Sequence, residues 1–225
     1  MIPGNIKNKI KELEKLRIEN TNATIYWFEP KTNTLYIPIS ETDFNSTFSD
    51  CSFQSVDLCI ENHIKQAANM FSSCIYLKNI IFTKKLNLSE VNSLYGLFSN
   101  CFSLRYFDFK NVILGNKLEC LMYIFNSCTC LYKVNFGNNF PSENIKNMDF
   151  AFYKCMSLEK IIVKERQPFD NLESLKATFI KCNRLKELDL RGVDFNKIKD
   201  SENAFFATNS NLNVLVNNTF KKEMV

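Results

Sequence analysis

Apolar and polar positions along the chain share one register that returns every 27 residues. Phe71, Phe98, Phe125, Phe152, Phe179 and Phe206 mark it. Three residues after each come Cys74, Cys101, Cys128, Cys155 and Cys182, with Asn209 in the last unit. Six after each phenylalanine stands a leucine: Leu77, Leu104, Leu131, Leu158, Leu185 and Leu212. Beyond the leucine the apolar residues alternate, as in Ile80 and Phe82, Phe107 and Phe109, Val134 and Phe136, Ile161 and Val163, Leu188 and Leu190. A period of two predicts a half-buried strand. Upstream of the phenylalanine stand Ile64 and Ala67, Val91 and Leu94, Leu118 and Leu121, Ile145 and Met148, Leu172 and Leu175. Their 3-4-7 spacing predicts one face of a helix.

Each unit is therefore expected to be a helix of two or three turns, a tight corner through Phe-x-x-Cys, and a short strand. One unit cannot bury its own apolar face, so successive units must stack. The expected fold is α/β, a leucine-rich-repeat solenoid of 27-residue helix-strand units. A parallel sheet would cover one face and both ends would be capped. Leucine-rich repeats occupy ~20 to 29 residues per unit, which accommodates this period.

The frame recurs in MFSSCIYLKNIIF, LFSNCFSLRYFDF, IFNSCTCLYKVNF, AFYKCMSLEKIIV and TFIKCNRLKELDL, and segments such as VNSLYGLF and IKNMDFAF lead into it. In these residues the chain resembles the BspA-like leucine-rich-repeat family, in particular the variant found in mycoplasma-type surface proteins, over roughly residues 60–217. The resemblance implies surface exposure and adhesion to proteins of a host or neighbouring cell. The buried asparagine column of ribonuclease-inhibitor-type repeats is replaced by Lys85, Val112, Asn139, Arg166 and Val193.

A stack of repeats needs caps. Residues 1–59 are expected to form the first, with an amphipathic helix over 5–20, a hairpin around KTNT and a degenerate first repeat at Phe48-Ser49-Asp50-Cys51. Residues 60–217 form the solenoid and 218–225 a tail. In the last unit the frame turns polar at Lys199, Glu202, Asn209 and Asn217, so no further unit is expected to stack there.

With 45% hydrophobic and 23% charged residues the chain is of ordinary globular composition. A net charge of +4 is too small to mark a nucleic-acid binder by itself. No run approaches the ~18 apolar residues of a membrane helix. The opening MIPGNIKNKIKELEKLRIEN has charges where a signal peptide would have its apolar segment, so no signal peptide is expected in it. On that basis the cytoplasm is expected, while the family resemblance leaves the cell surface or secretion open.

Nine cysteines invite a metal or disulfide reading. There is no Cys-x-x-Cys pair, and the single histidine, His63, is remote from Cys128-Thr129-Cys130. One sulfur per coil fits a small buried apolar side chain better. Cys59, Cys120 and Cys130, off the column, are the expected exposed thiols. Five scattered glycines build no phosphate loop, and Asp108 and Asp189 belong to different coils. No catalytic set, metal site or cofactor is expected, and the chain reads as a non-enzyme.

Binding is expected on the strand face, through residues between the buried strand positions. The candidates are Tyr106, Asp108, Lys110, Lys133, Asn135, Lys160, Ile162, Lys164, Glu187, Asp189 and Arg191. Tyr106 with Lys110, Lys133, Lys160, Lys164 and Arg191 forms a mildly basic strip suited to an acidic or mixed protein partner. The expected function is protein–protein interaction, of adhesion or scaffold type, by a monomer. The alternative is nucleic-acid or polyanion binding on the same strip, which Asp108, Glu187 and Asp189 disfavour.

Overall fold

The computed structural model describes residues 8, 27–29, 34–36, 42–59, 63–82, 85–163 and 168–217. The expected helix over 5–20 lies outside the described residues save for residue 8, and so does the 218–225 tail. Where the sequence alternates after each corner leucine, the backbone is extended. The strands are β1 (Trp27–Glu29), β2 (Thr34–Tyr36), β3 (Ser55–Cys59), β4 (Asn79–Ile81), β5 (Leu86–Leu88), β6 (Tyr106–Asp108), β7 (Val112–Leu114), β8 (Lys133–Gly137), β9 (Lys160–Val163), β10 (Glu187–Asp189) and β11 (Asn213–Leu215).

Strands of successive coils pair in parallel, giving the ladders β6-β8-β9, β10-β11 and β5-β7. β1 and β2 pair antiparallel, β2 pairs in parallel with β3 and β3 with β4, so β1 and β4 are the edges of this sheet. The whole is a parallel β-solenoid of about six turns.

Among the described residues little is helical, and this corrects the expected helix-strand unit. The upstream apolar residues are buried as their spacing demands, Leu94, Leu118, Leu121 and Ile145 completely. Their backbone nevertheless runs through turns. Leu94, Gly96, Phe98 and Asn100 donate to Cys120, Met122, Ile124 and Asn126 of the next coil at 2.7–3.0 Å. The intervening Leu97, Ser99 and Cys101 donate three residues back within their own coil. A helix would need every N–H to reach four residues back, but here alternate donors reach the neighbouring coil. Two left-handed residues per coil permit this, Gly96 and Asn100 (both φ +60) in this one, Tyr123 and Ser127 in the next. Gly96 is suited to such a φ because it has no Cβ, whereas the other residues carry a cost of about 1 kcal/mol each.

The core is a ladder of phenylalanine rings. Phe48, Phe71, Phe98, Phe125, Phe152, Phe179 and Phe205 lie 5.1–5.7 Å apart between centroids, tilted by 5–23°. Burial of each such side chain stabilises by about 1.5–3 kcal/mol. Phe48 belongs to this ladder although it precedes Phe71 by only 23 residues.

The last interval differs from expectation. Phe205, not Phe206, completes the ladder, and Phe206 is 63% exposed. The loop from Asp189 to the Asp200 bridge is one residue shorter than the loop from Ile162 to Ser174, so the final turn shifts by one position. The same shift pairs Val214 with the buried Leu188 and packs Val214 and Val216 against the core, where the 27-residue register had put them on the outer face.

Each column cysteine fills the corner and also donates a hydrogen bond. The thiols of Cys74, Cys101, Cys128, Cys155 and Cys182 reach the carbonyls of Phe48, Phe71, Phe98, Phe125 and Phe152 at 2.9–3.2 Å. A small apolar residue with one weak donor satisfies both the packing and the carbonyl.

Candidate binding face

Strand pairing sets the outer face by register. Tyr106, Lys133 and Lys160 are aligned across β6, β8 and β9, and so are Asp108, Asn135 and Ile162. Glu187 and Asp189 follow on β10. Lys164 lies outside the described residues. Lys110, Lys160 and Glu187 are exposed, whereas the other described candidates are partly covered.

The charges of this face are largely settled within it. The Tyr106 hydroxyl donates to Asp108 at 2.6 Å, the Asn135 amide at 3.3 Å, and the Lys110 N–H at 2.9 Å; the Lys110 ammonium lies 3.6 Å from the same carboxylate. Burial pushes the Asp108 carboxyl up, but these donors and the Lys110 charge outweigh it and hold the group below its ordinary range. Burial, and then the Asp108 carboxylate, push the Tyr106 phenol up to about 12. Arg191 grips Asp189 with two guanidinium nitrogens at 2.9 and 2.7 Å. Lys133 lies 5.5 Å from the Tyr106 ring centroid, a cation–π distance.

Consequently the expected basic strip loses Lys110 and Arg191 to carboxylates of their own coils. Among the described residues, Lys133 and Lys160 form no ion pair. Arg105 and Lys186, each one position beyond a corner leucine, are likewise exposed and without an ion pair there.

An apolar column borders this face and was not among the expected positions. Ile75, Phe102, Thr129 and Met156 follow the frame cysteines directly, and their N–H groups close tight turns onto Ser73, Asn100, Ser127 and Lys154 at 2.8–2.9 Å. Those turns start at left-handed residues and point the next side chain outward. Tyr76 is 53% exposed, Tyr132 46%, Phe102 43% and Met156 42%, far more than apolar filler requires. Tyr132 stacks beside Tyr106 at 6.4 Å. The readable signal was a large apolar residue at a variable position inside an otherwise invariant frame.

The thiols offer no nucleophile in the column. Burial pushes Cys74 and Cys182 up to about 12, and it pushes Cys101, Cys128 and Cys155 well above the ordinary thiol value. Among the described residues the eight recorded cysteines are free thiols, with Cys130 exposed as expected and Cys120 only half-exposed. The side chain of Cys59 lies outside the description. His63 is exposed. No group of three or more His, Cys, Asp or Glu side chains among the described residues could hold a metal ion. No described helix is long and apolar enough to cross a membrane.

No family model matches the chain, and no curated protein matches it. Three solved structures are similar to it. A leucine-rich cell surface protein from Faecalibacterium prausnitzii A2-165 aligns at 18% identity and TM-score 0.38, over 61% of this chain and 37% of its own. A leucine-rich-repeat protein from Eubacterium ventriosum ATCC 27560 aligns at 15% and 0.41, over 84% and 51%. A leucine-rich-repeat protein from Bacteroides ovatus ATCC 8483 aligns at 15% and 0.28, over 82% and 63%. This chain thus spans between about a third and two thirds of the length of those proteins.

Proposed function

We propose that the protein is a non-enzymatic protein-interaction module that binds its partner on the strand face and the apolar column beside it. Residues 1–59 close one end of the solenoid in this reading, and residues 60–217 carry the binding coils. The observation that carries it is that each of four adjacent coils exposes a large apolar side chain near its corner, Tyr76, Phe102, Tyr132 and Met156 in turn. One isolated exposed apolar residue is ordinary, whereas large ones recurring on successive coils beside a polar face point to a contact surface. Aromatic residues and methionine are the types enriched at the centre of protein interfaces.

Polyanion binding is the weaker reading. Lys110 and Arg191 already face Asp108 and Asp189, and Glu187 stands exposed within the strip. Affinity capture with the full chain as bait tests the proposal, comparing it with the Tyr132→Ala, Lys133→Glu, Lys160→Glu triple variant. Loss of the captured protein, with the thermal midpoint unchanged, is expected. Equal capture by both baits would refute the strand face as the binding surface.

A further inference from the structure

We infer that the partner presents an acidic segment in the polyproline II conformation whose apolar anchors recur at every third residue, lying along the solenoid axis across the corner of the strand face. The inference rests on the function proposed above and specifies the occupant of the same surface.

Charge decides the acidity. The exposed cations Arg105, Lys160 and Lys186 and the partly covered Lys133 form no ion pair among the described residues, whereas Asp108, Glu159 and Asp189 each have a cation within 4 Å. What remains uncompensated is four positive groups against Glu187. An acidic segment neutralises them without displacing an existing pair, whereas a basic one meets repulsion at each coil.

Backbone saturation decides the mode of binding. Within β6-β8-β9 the central strand is paired on both sides, so no strand can be added there. Recognition must come from side chains, with the ligand crossing the strands. Spacing then decides the anchors. Phe102 and Met156 are two coils apart, about 10 Å at ~4.8 Å per step, and one turn of a polyproline II chain, three residues at ~3.1 Å each, covers about the same distance and returns the side chain to the same face. The smaller Thr129 in the coil between them leaves a shallow step, and Arg105, Lys133 and Lys160 flank the same three coils. Apolar side chains three apart can therefore sit against Phe102 and Met156 while the carboxylates between them reach the cations. A uniform polyanion would leave the apolar column uncovered.

A short fluorescein-labelled peptide with leucine at every third position and aspartate or glutamate between tests this by anisotropy with the full chain. Two analogues accompany it, one with glutamine for every acid and one with serine for every leucine, together with single-stranded oligo(dT). Saturable binding of the first peptide, at least about tenfold tighter than either analogue or the oligonucleotide, is expected. The Phe102→Ser, Met156→Ser double variant should lose a similar factor. The remote Lys197→Glu variant should bind as the parent does. Equal binding of the serine analogue or of oligo(dT) would overturn the inference in favour of a plain polyanion site. Equal binding of the glutamine analogue would reduce it to apolar adhesion, and no binding of any peptide would end it. If peptide binding fails while protein capture still depends on Tyr132, Lys133 and Lys160, the inference alone falls. Capture indifferent to those residues defeats the parent reading.

Discussion

The turn ladder and the strand face are built on the same coils, yet they treat the repeat in opposite ways. Along the ladder the same residue type returns at every step, as in Phe71, Phe98, Phe125, Phe152 and Phe179 with the cysteines that follow. On the face the residue type varies from coil to coil, and Tyr106, Lys133, Lys160 and Glu187 occupy one column. Identity is enforced where each coil is the packing partner of the next, since a ring can stack only on a ring of similar shape. A position facing solvent carries no such demand, so its side chain can vary with the partner. In a repeat chain, repetition marks structure and variation marks the surface available for function.

The sharpest way to break that contrast uses two phenylalanines of one frame. Phe125→Ala removes a completely buried ring stacked on both sides and should cost about 3–5 kcal/mol in urea denaturation. Phe102→Ala, four residues beyond Phe98, should stay within roughly 0.5 kcal/mol. Similar losses at both sites would show that the exposed column also supports the fold.

Next in size are the thiols. Their ionisation is raised in the folded chain, so the unfolded chain loses these protons first. Stability should hold below about pH 9 and fall as pH rises from there toward about 12. A thermal midpoint at pH 10 lower than at pH 8 is the expected result. Cys130 should react with a mild alkylating reagent well before the column thiols.

Cys128→Ala should cost about 1–2 kcal/mol, because it removes volume and the donor to the Phe98 carbonyl. Cys128→Ser keeps a donor and should cost no more than alanine. The reverse order in chemical denaturation would show that the site needs apolar volume alone.

The smallest effect concerns the backbone. Lys181 is exposed and left-handed at φ +61, so Lys181→Gly should stabilise by up to about 1 kcal/mol. A loss in its place would mean that the lysine side chain contributes to the ladder.

Much of the architecture was legible because inward and outward preferences are local chemistry. The corner leucines, the strand alternation at Phe107 and Val134, and the burial of Leu94, Leu121 and Leu175 all follow from it. Legibility failed where a pattern served two conformations. Apolar residues three and four apart suit a helix, and they suit equally the alternating turns that place Leu94, Leu97 and Phe98 inside. The face was read in part: Lys133 and Lys160 keep their charges open, while the captures of Lys110 by Asp108 and of Arg191 by Asp189 depend on side-chain geometry that spacing does not reveal. The apolar column at Phe102 and Met156 lay between the frame residues and drew no notice, since the corner turns alone aim it outward.

What the sequence by itself determined is therefore which residues face the core, because that depends on side-chain polarity. Only the tertiary structure decided where each backbone N–H finds its oxygen. With a neighbouring coil about 4.8 Å away, alternate donors bond across the stack and left-handed residues replace a helix. The loop shortened before Asp200 likewise moved the final ring from Phe206 to Phe205, since a ring joins the ladder only where the coil beneath it brings it into register.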